Sequence, residues 1–256
     1  MPGSREARLA AVRGQVAALE AGTRTPARVL PFGDSRVDDH LPGGGLSLGR
    51  WHELTGEGLE IETAAAPAAF AALLVRPLAT AGEVVWILRR DDLHAPGLAG
   101  LGLAAGRLIQ VRARDEAEAL AAMEDALATA GVAAVVAEAD TVDLVAGRRL
   151  QLACERHGGT GFLIRRRPFG TPAKGGRAAA GSAAASRWVV APAPSVPLPG
   201  LPGLGPPRWT VNLQRCRGGR PGVWTMEADE THGPHPFRLV ADLADRGLAA
   251  ETRWRA

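Results

Sequence analysis

The 256 residues contain no tyrosine, a single lysine, Lys174, and two cysteines, Cys154 and Cys216. Two cysteines cannot form a disulfide framework, so a small secreted scaffold held by cross-links is excluded. The two lie too far apart for a C-x-x-C redox motif. No apolar run approaches the roughly 20 residues that span a bilayer. The segment MPGSREARLAAVRGQ lacks the apolar core of a secretory signal. The expectation is a soluble cytoplasmic protein, with nucleoid association if DNA is a ligand.

Acidic residues are missing from one long interval. None lies between Glu155 and Glu227, whereas eleven cations do: Arg156, Arg165, Arg166, Arg167, Lys174, Arg177, Arg187, Arg208, Arg215, Arg217 and Arg220. The whole chain carries only +3, so the remainder is net −8. Such asymmetry suggests a surface facing a polyanion, and arginine grips phosphate with a two-pronged fork.

What is present is an alternation of elements. Residues 5–21 read as a helix whose stripe is Leu9, Val12, Val16 and Leu19, ended by Gly22. Strands are expected at 50–54, 83–88 (EVVWIL), 108–111, 132–138 (VAAVVAE) and 162–164. Helices are expected at 63–79, 115–130 and 141–157. Continuous apolar strands separated by helices imply a mostly parallel sheet covered on both faces. Residues 168–186 are rich in Gly, Ala, Ser and Pro and hold little core material beyond Phe169. Strands at 187–190, 208–215 and 223–227 follow, the last two joined by a turn through Gly218, Gly219, Pro221 and Gly222. Residues 237–248 show a short amphipathic helical pattern. These elements divide into an N-terminal helix and linker (1–29), an α/β core (30–191) and C-terminal antiparallel strands with a tail (192–256).

Residues 34–58 read DSRVDDHLPGGGLSLGRWHELTGEG. A short helix, the glycines Gly43, Gly44, Gly45 and Gly49, and a strand leading to a loop resemble the entry to a RecA-like core. The PGGGL–LG–HE run and the later Arg208, Trp209, Cys216, Arg217, Gly218, Gly219, Arg220, Pro221, Gly222 and Trp224 resemble the ImuA family of mutagenesis accessory proteins. The RecA-like resemblance spans about residues 30–191, and the ImuA resemblance most of the chain. It implies a role in DNA-damage-induced (SOS) translesion synthesis, in complex with an ImuB-like polymerase-derived adaptor and an error-prone polymerase. Self-association is a further expectation.

In that frame the phosphate loop, G-x-x-x-x-G-K-[ST], begins at Gly56 and ends at Thr63. Ile61 replaces the second glycine, and Glu62 replaces the lysine that would neutralise a triphosphate. Glu57 and Glu60 add negative charge, at a cost of several kcal/mol for like charges a few Å apart. Arg90 lies at or within one position of the water-activating glutamate, and arginine cannot accept a proton from water. Glu138 survives as the Mg²⁺-side carboxylate, with Asp140 close by. The expectation is a pseudo-ATPase that needs no cofactor and catalyses nothing.

Arg165, Arg166 and Arg167 end the strand that, in RecA-like proteins, precedes a DNA-contacting loop. With Lys174 and Arg177 they are the candidates for single-stranded DNA. Binding through them would be salt-sensitive and indifferent to sequence. Phe237, Leu239, Val240, Leu243 and Leu248 are the candidate partner-docking set. Cys216, His232 and His235 make an incomplete metal set, so no metal site is expected. Two other readings compete: a SulA-type inhibitor of cell division and an ATP-dependent recombinase-like protein.

Overall fold

The computed structural model describes residues 28–166, 183–197, 200, 203–229 and 233–240, without the side chains of Ile61 and Glu62. The strands are β1 Val29–Leu30, β2 Leu46–Ser47, β3 Trp51–Gly56, β4 Glu83–Leu88, β5 Leu108–Arg112 and β6 Val132–Ala139. They continue with β7 Thr160–Arg165, β8 Ser186–Ala193, β9 Arg208–Cys216, β10 Gly222–Ala228 and β11 Phe237–Leu239. The helices are α1 Ser35–Asp38, α2 Glu60–Thr63, α3 Ala65–Val75, α4 Ala95–Gly100, α5 Glu116–Leu127 and α6 Leu144–His157. The expected helix at residues 5–21 lies outside the described residues.

Among the described residues, nine strands form one sheet in the order β11-β10-β9-β8-β3-β7-β6-β4-β5. From β8 to β5 every neighbouring pair is parallel, and β9, β10 and β11 add on antiparallel. This α/β sheet, mostly parallel and flanked by helices, is compatible with a RecA-like core. β1 and β2 pair separately, across the turn in which Gly43 and Gly44 take positive φ.

The two faces are covered by different helices. On one, Phe70, Leu73 and Leu74 of α3 pack on Leu54, Val84, Trp86, Val136, Phe162 and Trp188. On the other, Ala119, Met123 and Leu127 of α5 and Leu150 and Cys154 of α6 pack on Trp51, Ile87, Val135 and Leu163. β6 supplies alternate side chains to both, which is why it reads as a continuous apolar run.

Local chemistry sets the helix ends. Asp115 accepts from the Glu118 amide at 2.8 Å and Asp143 from the Ala146 amide at 2.7 Å, capping α5 and α6. Gly158, at φ +77, ends α6 in a left-handed turn.

One expectation fails. Residues 237–239 were read as the start of a helix, but they form β11, paired with Met226–Ala228 of β10. Phe237 is buried there and stacks on Phe70 and Phe32. An aromatic-led triplet beside an open sheet edge gains ladder bonds and core burial together, which outweighs a weak helical pattern.

Candidate functional site at the carboxyl ends of the parallel strands

In an open α/β sheet, ligands bind beyond the carboxyl ends of the strands. Here that crevice is bounded by the loop after β3, residues 89–92 after β4, Glu138 and Asp140 at the end of β6, and Arg165 and Arg166 at the end of β7.

The loop after β3 is short and tight. α2 begins at Glu60, and the Thr63 hydroxyl donates to the Leu59 carbonyl at 3.0 Å. A Cβ placed on Gly56 would lie 2.7 Å from the Thr63 oxygen, so the strand end and Thr63 are nearly in contact.

Charge fills the crevice from inside. Arg166 reaches Asp92 at 2.7 Å, Glu138 at 3.0 Å and Glu60 at 3.7 Å. Arg90 meets Glu60 at 3.3 Å, and the Arg89 amide donates to Glu138 at 3.2 Å. Burial pushes the Glu138 carboxyl above its ordinary range, although Arg166 opposes this. Among the described residues, Glu60 Oε2, Arg89 Nε and Arg166 Nε have no hydrogen-bond partner. Glu116 gathers the Asp140 and Thr141 amides, the Thr141 hydroxyl and Arg89, fastening the loop after β6.

The opposite face of the sheet carries a second buried carboxylate. Glu53 of β3 accepts from Arg165 Nη1 at 2.8 Å, and from Arg187 Nε and Nη2 at 3.0 and 2.9 Å. Arg165 also donates to the Asp140 carbonyl at 2.7 Å. Burial pushes Glu53 up, but the two guanidiniums outweigh it and hold the carboxyl below its ordinary range. A pocket of about 540 Å³ beside Arg165, floored by Leu120, Val142 and Ala146, has as its charged wall residues groups that are already paired.

Next to Glu53, His52 is fully enclosed. Its Nε2–H donates to the Ser47 carbonyl, and its Nδ1 accepts from the Ser186 hydroxyl, which in turn accepts from Trp188 Nε1. Burial lowers its pKa to about 4, so it is neutral at pH 7. The His-Glu pair of the sequence therefore fixes β3 to both of its neighbouring strands and to β2.

The acid-free interval looks different in space. Arg165 and Arg187 face Glu53, Arg166 faces Glu60, Asp92 and Glu138, and Arg208 meets Glu227 at 2.5 Å. Arg215, Arg217 and Arg220 donate to the carbonyls of Ala184, Ala183 and Asp39. The partner carboxylates come from outside the acid-free stretch, so four of its eleven cations, Arg165, Arg166, Arg187 and Arg208, form ion pairs on folding. Of the DNA candidates, Arg165 and Arg166 are thus held within the fold. Arg167, Lys174 and Arg177 lie outside the described residues.

Of the partner-docking set, Phe237 is core, Leu239 is half-buried against that core, and the Val240 amide donates to the Thr225 carbonyl. Leu243 and Leu248 lie outside the described residues. No group of His, Cys, Asp or Glu among the described residues could hold a metal ion. No helix among them is long and apolar enough to cross a membrane. Residues 45–49, GLSLG, fit the nucleophile-elbow pattern, but Ser47 sits in β2, paired with β1 and not at a strand-to-helix turn. Sequence reading passed over Glu53 and Asp92, and took Arg187 only as one charge of the basic interval. For Glu53 and Arg187 the signal available was a charge inside a strand whose neighbours are all buried, which demands a buried partner. Asp92 lies in the loop after β4 and carried no such signal.

The glycine-rich ending proves to be a packing device. The Arg220 amide donates to the His40 carbonyl at 2.8 Å, and Trp224 Nε1 donates to the Arg36 carbonyl at 2.9 Å. A Cβ on Gly219 would fall 2.4 Å from the His40 carbonyl oxygen. The β9–β10 turn therefore closes directly on the segment around α1.

Fold and site together define a class: an α/β chain, its mostly parallel sheet compatible with a RecA-like core, whose crevice beyond the parallel strands is bordered by its own ion pairs. Two curated relatives, both named Protein ImuA and from two strains of Caulobacter vibrioides, are 63% identical over 236 residues. The match covers 91% of this chain and 97% of theirs. The chain belongs to the ImuA family. No protein-family model matches it.

Proposed function

We propose that this protein is a non-enzymatic accessory factor in DNA-damage-induced, error-prone translesion synthesis, working by binding alone. Its ImuA family membership supports the coarse role in damage-induced mutagenesis. The observation that carries the non-enzymatic reading is the ion network of Glu60, Arg90, Arg166, Asp92 and Glu138. Nucleotide hydrolysis relies on free cations clamping the γ-phosphate. Here the crevice arginines are neutralised by carboxylates, and Glu62 stands in the lysine's place.

The proposed partners are an ImuB-like adaptor and an error-prone polymerase. The tail that follows β11, with Leu243 and Leu248, is the proposed docking segment. Single-stranded DNA is the proposed nucleic-acid ligand, contacted through Arg167, Lys174 and Arg177, since Arg165 and Arg166 are engaged within the fold. Deleting residues 241–256 without loss of adaptor binding would remove the docking proposal.

The test is a titration of the protein into a fluorescent single-stranded oligonucleotide across a salt series, with and without ATP and Mg²⁺. Binding that weakens with salt and ignores ATP is expected. An ATP-dependent rise in melting temperature or in DNA affinity would restore the recombinase-like reading. No binding at low salt would leave a protein-only scaffold.

A further inference from the structure

We infer that the N-terminal segment, residues 5–21, packs in its own chain against the outward face of α6. On that face Leu144, Val145 and Leu152 are exposed by 62%, 69% and 53%, with Arg148 between them. The opposite face is buried through Gly147, Leu150, Gln151 and Cys154. A helix of this length normally has one apolar stripe facing the core and a polar outer face. α6 has a second apolar stripe that nothing among the described residues covers.

Three observations select the occupant. The first is where the chain enters. Arg28 is the first described residue, and its Nη1 lies 4.0 Å from where a Cβ of Gly158 would be. Gly158 is the C-cap of α6. The described chain therefore begins beside the end of this helix.

The second is length. The stripe Leu9, Val12, Val16, Leu19 runs about 15 Å as a helix, and Leu144 to Leu152 about 12 Å. The nine residues from Leu19 to Arg28 reach at most about 30 Å, more than the roughly 21 Å of α6. The shortest path runs the segment parallel to α6, with Leu19 beside Leu152 and Leu9 beside Leu144.

The third is the entry of the competing segments. Ala183 re-enters on the inward side of α6, its Cβ 3.1 Å from the position a Gly147 Cβ would take. The C-terminal tail leaves from β11, four strands away from β3 at the far edge of the sheet.

Hydrogen–deuterium exchange of the full chain tests this, with residues 9–19 as the reporter and β4 and β6 as the control. Amides of 9–19 are expected to be protected, equally so after ten-fold dilution. Leu144→Ser with Leu152→Ser is expected to speed their exchange about ten-fold or more while β4 and β6 stay unchanged. Leu9→Asp with Val16→Asp, which leaves α6 intact, is expected to do the same. Absence of protection in the unaltered chain overturns the inference, as does protection that survives both variants. Protection that falls on dilution, together with a dimer by light scattering, overturns it in favour of a second copy as the occupant.

Discussion

Glu53 and Glu138 are both about 2% exposed, both lie in parallel strands, and both face an arginine at or one residue past the end of β7, yet their carboxyls shift in opposite directions. Glu53 has a guanidinium on each oxygen, one of them gripping through two nitrogens. Glu138 shares Arg166 with Asp92 and Glu60, and Asp92 itself works against its ionisation. Burial is common to both and cannot explain the difference. What decides is how many cations each carboxylate has to itself. By this measure the Glu53 side is a structural clamp, and on the Glu138 side one arginine is shared among three carboxylates.

The sharpest break of this comparison is Glu53→Gln. It removes the carboxylate facing two buried guanidiniums and is expected to cost about 3–5 kcal/mol in urea denaturation at pH 7. Arg166→Gln comes next, at about 2–3 kcal/mol, because Glu138 then keeps only backbone support. Its signature is in the pH dependence. Glu138 is already raised, and losing Arg166 raises it further, so the deficit should shrink as pH falls and the carboxyl protonates. A deficit that stayed constant on acidification would show that Arg166 does not act through the charge of Glu138.

His52 gives a third effect. Its folded value of about 4 lies below the ordinary 6.5, so the unfolded chain takes up the proton first as pH falls. Stability is lost from about pH 6.5 down to 4, by about 2 kcal/mol between pH 7 and 5. His52→Gln should flatten that slope in denaturant midpoints. The smallest effect is Glu138→Gln, under about 1 kcal/mol at pH 7. The substitution removes a charge that burial disfavours, and Arg166 retains Asp92 and Glu60. A loss like that of Glu53→Gln would erase the distinction.

Most of the sheet was legible in the chain. EVVWIL occupies β4 residue for residue, and the acidic opening and Gly131 bracket α5 closely. These segments have one dominant period and clear ends. The three-residue β11 was not legible, because its pairing depends on an edge supplied by β10. Nor were the two-residue β1 and β2, too short to carry any period. At the site, Gly56, Thr63, Arg90 and Glu138 were named from the RecA-like resemblance, and the fold sets them at or just beyond the ends of β3, β4 and β6. The meaning of Arg165 and Arg166 was not legible. A count of charges along the chain sees eleven cations and no anions. Only the fold brings Glu53, Glu60, Glu138 and Glu227 from distant positions to face four of them, Arg165, Arg166, Arg187 and Arg208.

The consecutive arginines at the end of β7 have one more consequence. Side chains of a strand alternate between faces, so Arg165 goes to Glu53 and Arg166 to Glu138 on opposite sides of the sheet. A slip of β7 by one residue would turn Phe162 and Ile164 to the wrong face and carry each arginine away from its carboxylate. The pair thus works as a parity mark. It makes the single correct alignment of the central strand recognisable from either side, and misaligned pairings are penalised twice over.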